Sequence, residues 1–105
     1  MGTRALAVAA AIAMACAGPD PAIERVDIVA PRKPGTVRVA LVVVNRSGGH
    51  GEAQIKIRLR TRDGAHVLAA ERAIELEGHQ RLDLTIDIPA PEADYVAEAY
   101  GVYPD

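Results

Sequence analysis

Beyond residue 22 the chain is patterned in twos. Residues 36–45 (TVRVALVVVN) form its most β-branched run, and residues 53–62 (AQIKIRLRTR) and 81–88 (RLDLTIDI) alternate apolar with polar side chains. A period of two sends successive side chains to opposite faces of a strand, whereas helical spacing is hard to find in this region. Gly, Pro, Asp and Asn separate the runs at short intervals, which is the layout of an all-β sandwich. Residues 23–29 (IERVDIV) add a first strand, closed by a turn segment whose Pro31 and Pro34 cannot donate to a ladder. The stretch NRSGGHG at 45–51 reads as a flexible loop, and residues 95–103 (YVAEAYGVY) make the last strand.

The spacing also predicts a register. Asp63-Gly64 separates residues 53–62 from 66–73 and is favoured in a two-residue type I′ hairpin, where both central residues need positive φ. Such a loop sets Arg62 opposite Ala65; counting back, Arg60 faces Val67, Leu59 faces Leu68, Ile57 faces Ala70 and Lys56 faces Glu71. Apolar residues then share one face and charges the other, as a correct register requires. In residues 81–88, Leu82, Leu84, Ile86 and Ile88 turn inward and Asp83, Thr85 and Asp87 outward, with Pro89 and Pro91 ending the strand. In the last strand Tyr95, Ala97 and Ala99 turn inward, and Val96, Glu98 and Tyr100 outward.

The first 22 residues obey a different rule. Arg4 precedes a small and apolar run at residues 5–15, too short for a permanent span of about 20 residues, so residues 1–15 read as a cleaved signal peptide. Ala13-Met14-Ala15-Cys16 resembles the lipobox of bacterial lipoproteins. That resemblance implies lipidation of Cys16 and an anchor in a membrane, with residues 16–22 as lipidated cysteine and linker and residues 23–105 as one sandwich domain. An ordinary signal peptide, leaving Cys16 as a free thiol, is the alternative. Residues 17–22 extend about 20 Å at most, at 3.3–3.6 Å per residue. Loss of Arg4 with the leader leaves 11 basic and 14 acidic residues, a net charge of −3, so no basic excess points to nucleic acid. With a single cysteine the domain relies on its apolar core alone.

A Val-rich strand ending in Asn45, an alternating strand closed by Asp63-Gly64, a turn at residues 76–79 (LEGH), then LDLTIDIP and PEADYVAEAY together resemble the FxLYD-type and related bacterial immunoglobulin-like domains. The family's aromatic motif falls on residues 57–61 (IRLRT), where Leu59 alone agrees. The resemblance implies an immunoglobulin-like antiparallel β-sandwich of six to seven strands, of a kind used as adhesive, spacer or accessory modules of the envelope. It also places the third strand between its hairpin partner and the last strand.

Candidate chemistry is sparse. Lys56, Arg58, Arg60 and Arg62 form a row of cations spanning about 20 Å at 3.3 Å per residue, which suits an extended anionic polymer or a layer of lipid headgroups. The competing reading is a solvated strand face on which Glu71 and Glu98 compensate two of the four charges. Asp83 and Asp87 have the form of a carboxylate pair, for which Arg38 on the adjacent strand offers a simpler partner. His50, His66 and His79 fall in three separate turns without ligand spacing, and Ser47, the chain's only serine, has no evident base. Val42, Val44 and Tyr100 are candidates for a small exposed apolar patch. The expectation is a secreted envelope protein of the periplasm or cell surface, acting without catalysis, metal or cofactor as a binding or accessory module for an envelope protein partner. A spacer or stabilising subunit without a ligand is the alternative.

Overall fold

The structure is a computed structural model and describes residues 18–30 and 33–103. The signal-peptide segment 1–15, Cys16 and Pro31 lie outside the described residues. Six strands follow in chain order: β1 (Pro21–Val29), β2 (Thr36–Asn45), β3 (Gly51–Thr61), β4 (Val67–Leu76), β5 (Arg81–Pro89) and β6 (Tyr95–Val102). There is no helix among the described residues. The strands form two antiparallel sheets, ordered β1-β2-β5 and β4-β3-β6. The fold is an all-β, immunoglobulin-like sandwich, with β3 between its hairpin partner and the last strand.

Alternation builds the core. Ala53, Ile55, Ile57 and Leu59 of β3 are buried against Val39, Leu41 and Val43 of β2 and Ile86 and Ile88 of β5. Leu82, Leu84, Ala97 and Ala99 pack on this cluster while half-exposed. Tyr95 closes the β5–β6 corner: its ring is buried and its hydroxyl donates to the carbonyl of Pro91 at 2.7 Å. A tyrosine at the start of this strand, bonded to backbone a few residues upstream, is a recurring device of immunoglobulin-like sandwiches.

The hairpin register is the one counted from the sequence, with Arg60 opposite Val67, Leu59 opposite Leu68, Ile57 opposite Ala70 and Lys56 opposite Glu71. The turn type is not. Thr61 N–H donates to His66 C=O at 3.0 Å, and Gly64 N–H donates to Thr61 C=O at 2.8 Å, so the loop holds residues 62–65. Gly64 adopts positive φ (76°), and Asp63 does not. The Asp63 carboxylate instead accepts from Thr61 Oγ1 at 2.6 Å and Ala65 N–H at 2.9 Å. Those bonds stabilise the ionised form and hold Asp63 below the ordinary carboxylate range. Widening the loop by one residue on each side leaves the pairing unchanged, which is why the register survives the different turn.

Three boundaries also differ. β4 runs on to Leu76, which is buried in the core, so the following turn is residues 77–80, with His79 in the left-handed region at φ 58°. β3 begins at Gly51 and β1 at Pro21, each earlier than the sequence suggests. The third concerns the expected linker over residues 16–22. Pro19 and Pro21 are buried, and residues 18–20 are bonded to the sandwich rather than extended from it.

The topology sorts the loops into two groups. The chain enters at Gly18 beside Tyr103, at the end that also carries loop 46–50 and turn 77–80. The opposite end carries the β1–β2 connection, loop 62–66 and loop 90–94. The first is the near end of the sandwich and the second the far end.

Candidate functional site

The basic row lies on the outer face of the β4-β3-β6 sheet. Its cations are mostly occupied. Lys56 Nζ lies 3.6 Å from Glu71, Arg60 Nη2 lies 2.9 Å from Glu98, and Arg62 Nε lies 2.8 Å from Asp94. Glu71 and Glu98 are the two partners expected from the sequence; Asp94, on the β5–β6 loop, is a third that strand pairing alone does not reveal. Arg58 faces Glu98 across β6 and Ala69 across β4, yet the Glu98 carboxylate is turned to Arg60. Among the described residues Arg58 has no ion pair. Ala69 is too small to fill the space beside it, leaving a groove of about 160 Å³ also lined by Lys56, Glu71 and Tyr100.

A face of this kind is largely self-neutralised. Changing Arg58, Arg60 and Arg62 together to Gln removes two exposed ion pairs. It is expected to lower stability by less than about 1 kcal/mol, with an unchanged circular dichroism spectrum on dilute protein. A loss several times larger in a urea titration would show that the row carries structural weight beyond a solvated face.

Asp87 accepts two hydrogen bonds from Arg38, from Nε at 2.7 Å and Nη2 at 3.0 Å. Arg38 is the partner that the sequence offered for the two aspartates; the structure gives it to Asp87, in a bidentate pair that raises the Arg38 pKa above its ordinary value. Asp83 faces Val42 instead, so the two aspartates do not converge on one site. The histidines divide as well: His50 and His79 belong to the near end and His66 to the far end. Among the described residues no three His, Cys, Asp or Glu side chains group to hold a metal ion. Of the apolar outward positions, Tyr100 is well exposed, whereas Val42 and Val44 are half-buried on the β1-β2-β5 sheet.

The most connected polar residue was not singled out by the sequence. Asn45, 1 % exposed, ends β2 at the near end. Its Oδ1 accepts from Asp20 N–H at 2.9 Å and Ser47 N–H at 3.1 Å, and its Nδ2 donates to the carbonyls of Gly49 (2.7 Å) and Glu77 (2.8 Å). Ser47 Oγ donates to Gly18 C=O at 2.9 Å and accepts from Gly49 N–H at 3.1 Å. The serine is thus a strut of the loop. His79 N–H donates to Ser47 C=O at 2.9 Å, and a Cβ on Gly78 would lie 2.5 Å from the Gly48 carbonyl oxygen, so only glycine admits this contact between the two loops. One amide thus ties together the N-terminal segment and two loops, and the expected flexible loop is a braced one. Asn-x-Ser at a strand end, an Asx turn, is the signal that could have revealed it.

At the far end two shallow grooves flank loop 90–94. One, of about 230 Å³, is lined by Ile28, Val29 and Val37; the other, of about 310 Å³, by His66, Val67 and Leu68. Tyr95 borders both. Val67 is 54 % exposed, an apolar position that the hairpin register left unremarked.

No family model matches the chain, and neither does any curated protein. Among solved structures it is similar to a DUF1425 family member from Shewanella sp. pv-4, with a TM-score of 0.61 and 20% sequence identity over 83% of this chain and 79% of that one. At that identity the likeness is one of fold: this chain shares its β-sandwich fold with that protein.

Proposed function

We propose that this chain is an envelope-anchored, non-enzymatic binding or accessory module, a lipoprotein held through Cys16 and presenting its sandwich to an envelope protein partner in the periplasm or at the cell surface. The observation that carries the reading is the start of the fold. Gly18 and Asp20 are already bonded to the sandwich, so a single residue, Ala17, separates Cys16 from folded protein. The 20 Å tether allowed by the sequence shrinks to about 7 Å at 3.3–3.6 Å per residue, and the sandwich rides against the surface that holds the lipid. The paired state of Lys56, Arg60 and Arg62 favours the spacer as the second reading, since three of the four cations already have carboxylate partners. Retention of the purified chain on an anionic polymer or on anionic lipid vesicles, weakening with salt, would favour direct binding over the spacer.

Cys16→Ser is expected to release the protein from membranes or leave it unprocessed, because no thioether can form. The check is membrane fractionation together with the intact mass of the mature N-terminus. A serine variant that still carries acyl chains and sediments with membranes would remove the basis for the anchor.

A further inference from the structure

We propose that a second copy of this chain pairs with the free edge of β4, antiparallel and about a two-fold axis at Ala70, making one continuous sheet ordered β6-β3-β4-β4′-β3′-β6′. The four sheet edges are not alike. β6 lies against β1, with Gly101 so close to Pro21 that a Cβ would stand 2.7 Å from the proline's Cβ. β1 has a register shift between Ile23 and Arg25, and β5 ends in Pro89 with Asp83 and Asp87 on its outward side. β4 pairs with β3 over ten residues without a shift and contains no proline. Long, regular edges are templates for another strand unless something blunts them.

Backbone parity shows which groups are available. Thr61 and His66 form a hydrogen-bonded pair, so even-numbered residues of β4 turn their backbone to β3 and Val67, Ala69, Glu71, Ala73 and Glu75 turn theirs to the free edge. The Glu71 carbonyl accordingly accepts from the side chain of Arg72 at 2.8 Å, a bond that the second copy would displace.

Charge selects the register. Pairing about residue 71 sets Glu71 against Glu71′, and pairing about residue 72 sets Arg72 against Arg72′. Pairing about Ala70 avoids both. It places alanine at the close, non-hydrogen-bonded crossing and matches Val67 with Ala73′ and Ala69 with Glu71′, each pair made twice and each exchanging two backbone hydrogen bonds. Ala69 is also the cross-strand neighbour of Arg58. Glu71′ therefore stands two strands from Arg58, about 10 Å at 4.7–4.9 Å per strand, a distance that the two side chains span together over the alanine methyl. The one row cation without an ion pair among the described residues gains its carboxylate from the other copy, and the groove over Ala69 is filled. The loose 3.6 Å contact of Lys56 with Glu71 leaves that carboxylate able to serve both. The two-fold axis runs perpendicular to the sheet, so both Gly18 ends lie at the same height along it and two anchors can reach one bilayer.

The test is sedimentation of the full processed chain in mild detergent over a wide range of concentration. A dimer is expected. Arg58→Glu and Glu71→Arg should each weaken it at least about tenfold, and the two changes combined should restore it. Ala69→Pro removes an N–H that faces the free edge and spares the β3–β4 ladder, so it should give a folded monomer by circular dichroism. A chain that stays monomeric at every concentration, a dimer indifferent to both single charge changes, or a double variant no better than the singles would each overturn the proposal.

Discussion

Asn45→Ala is expected to cost about 3–5 kcal/mol, near the upper end for a single substitution. The side chain is 1 % exposed, and its removal strips partners from the Gly49 and Glu77 carbonyls and from the Asp20 and Ser47 amides. Each such group left buried without a partner costs about 1–3 kcal/mol, reduced where the near-end loops open enough to admit water. For a domain of this size the melting temperature should fall by roughly 15 °C or more. The effect also has a location. Amide exchange should accelerate at Asp20, Ser47 and His79, whose bonds pass through or beside the asparagine, while the β3–β4 ladder at the far end keeps its protection until global unfolding. If Asn45→Ala melts within a few degrees of the native chain, or if exchange quickens equally at both ends, the amide does not brace the near end.

That network marks where the sequence stops being legible. The sandwich and the inward and outward assignments follow from period-two patterning, because burial of one face penalises every alternative, whereas the strand order around β3 rested on the resemblance to immunoglobulin-like domains. Lys56 with Glu71 and Arg38 with the aspartates of β5 were readable on these grounds together: cross-strand neighbours follow from register and strand order. Arg62 with Asp94 was not, since Asp94 sits on a loop whose path no periodicity encodes. Residues 18–22 looked like a linker because Gly, Pro and Asp favour turns and irregular chain. What holds residues 18–20 is a set of bonds from Asn45 and Ser47, some 25 to 29 residues away, and composition carries no trace of contacts at that separation. The hairpin shows a subtler case. Asp-Gly named the wrong turn, yet a two-residue and a four-residue loop centred on the same dipeptide give one register, so the pairing was robust to the mistake.

Leu59→Ala is expected to cost about 2–5 kcal/mol, and its neighbour Arg60→Ala no more than about 0.5 kcal/mol. Leu59 is fully buried on the inner face of β3, where truncation removes apolar area and leaves a cavity between the sheets. Arg60 points to solvent, and its loss forfeits one exposed pair with Glu98. Leu68 lies opposite Leu59 but on the edge strand, half-exposed, so Leu68→Ala should fall between the two at about 1–2 kcal/mol. The ordering Leu59, Leu68, Arg60 is specific to this register. A slip of one residue exchanges the faces of β4, turning Leu68 to solvent and Val67 to the core, and then Val67→Ala would exceed Leu68→Ala. Urea titrations of the four variants give the comparison directly. Equal losses at Leu59 and Arg60, or a larger loss at Val67 than at Leu68, would show that the β3–β4 pairing is wrong, and the edge that β4 offers to a second copy would be wrong with it.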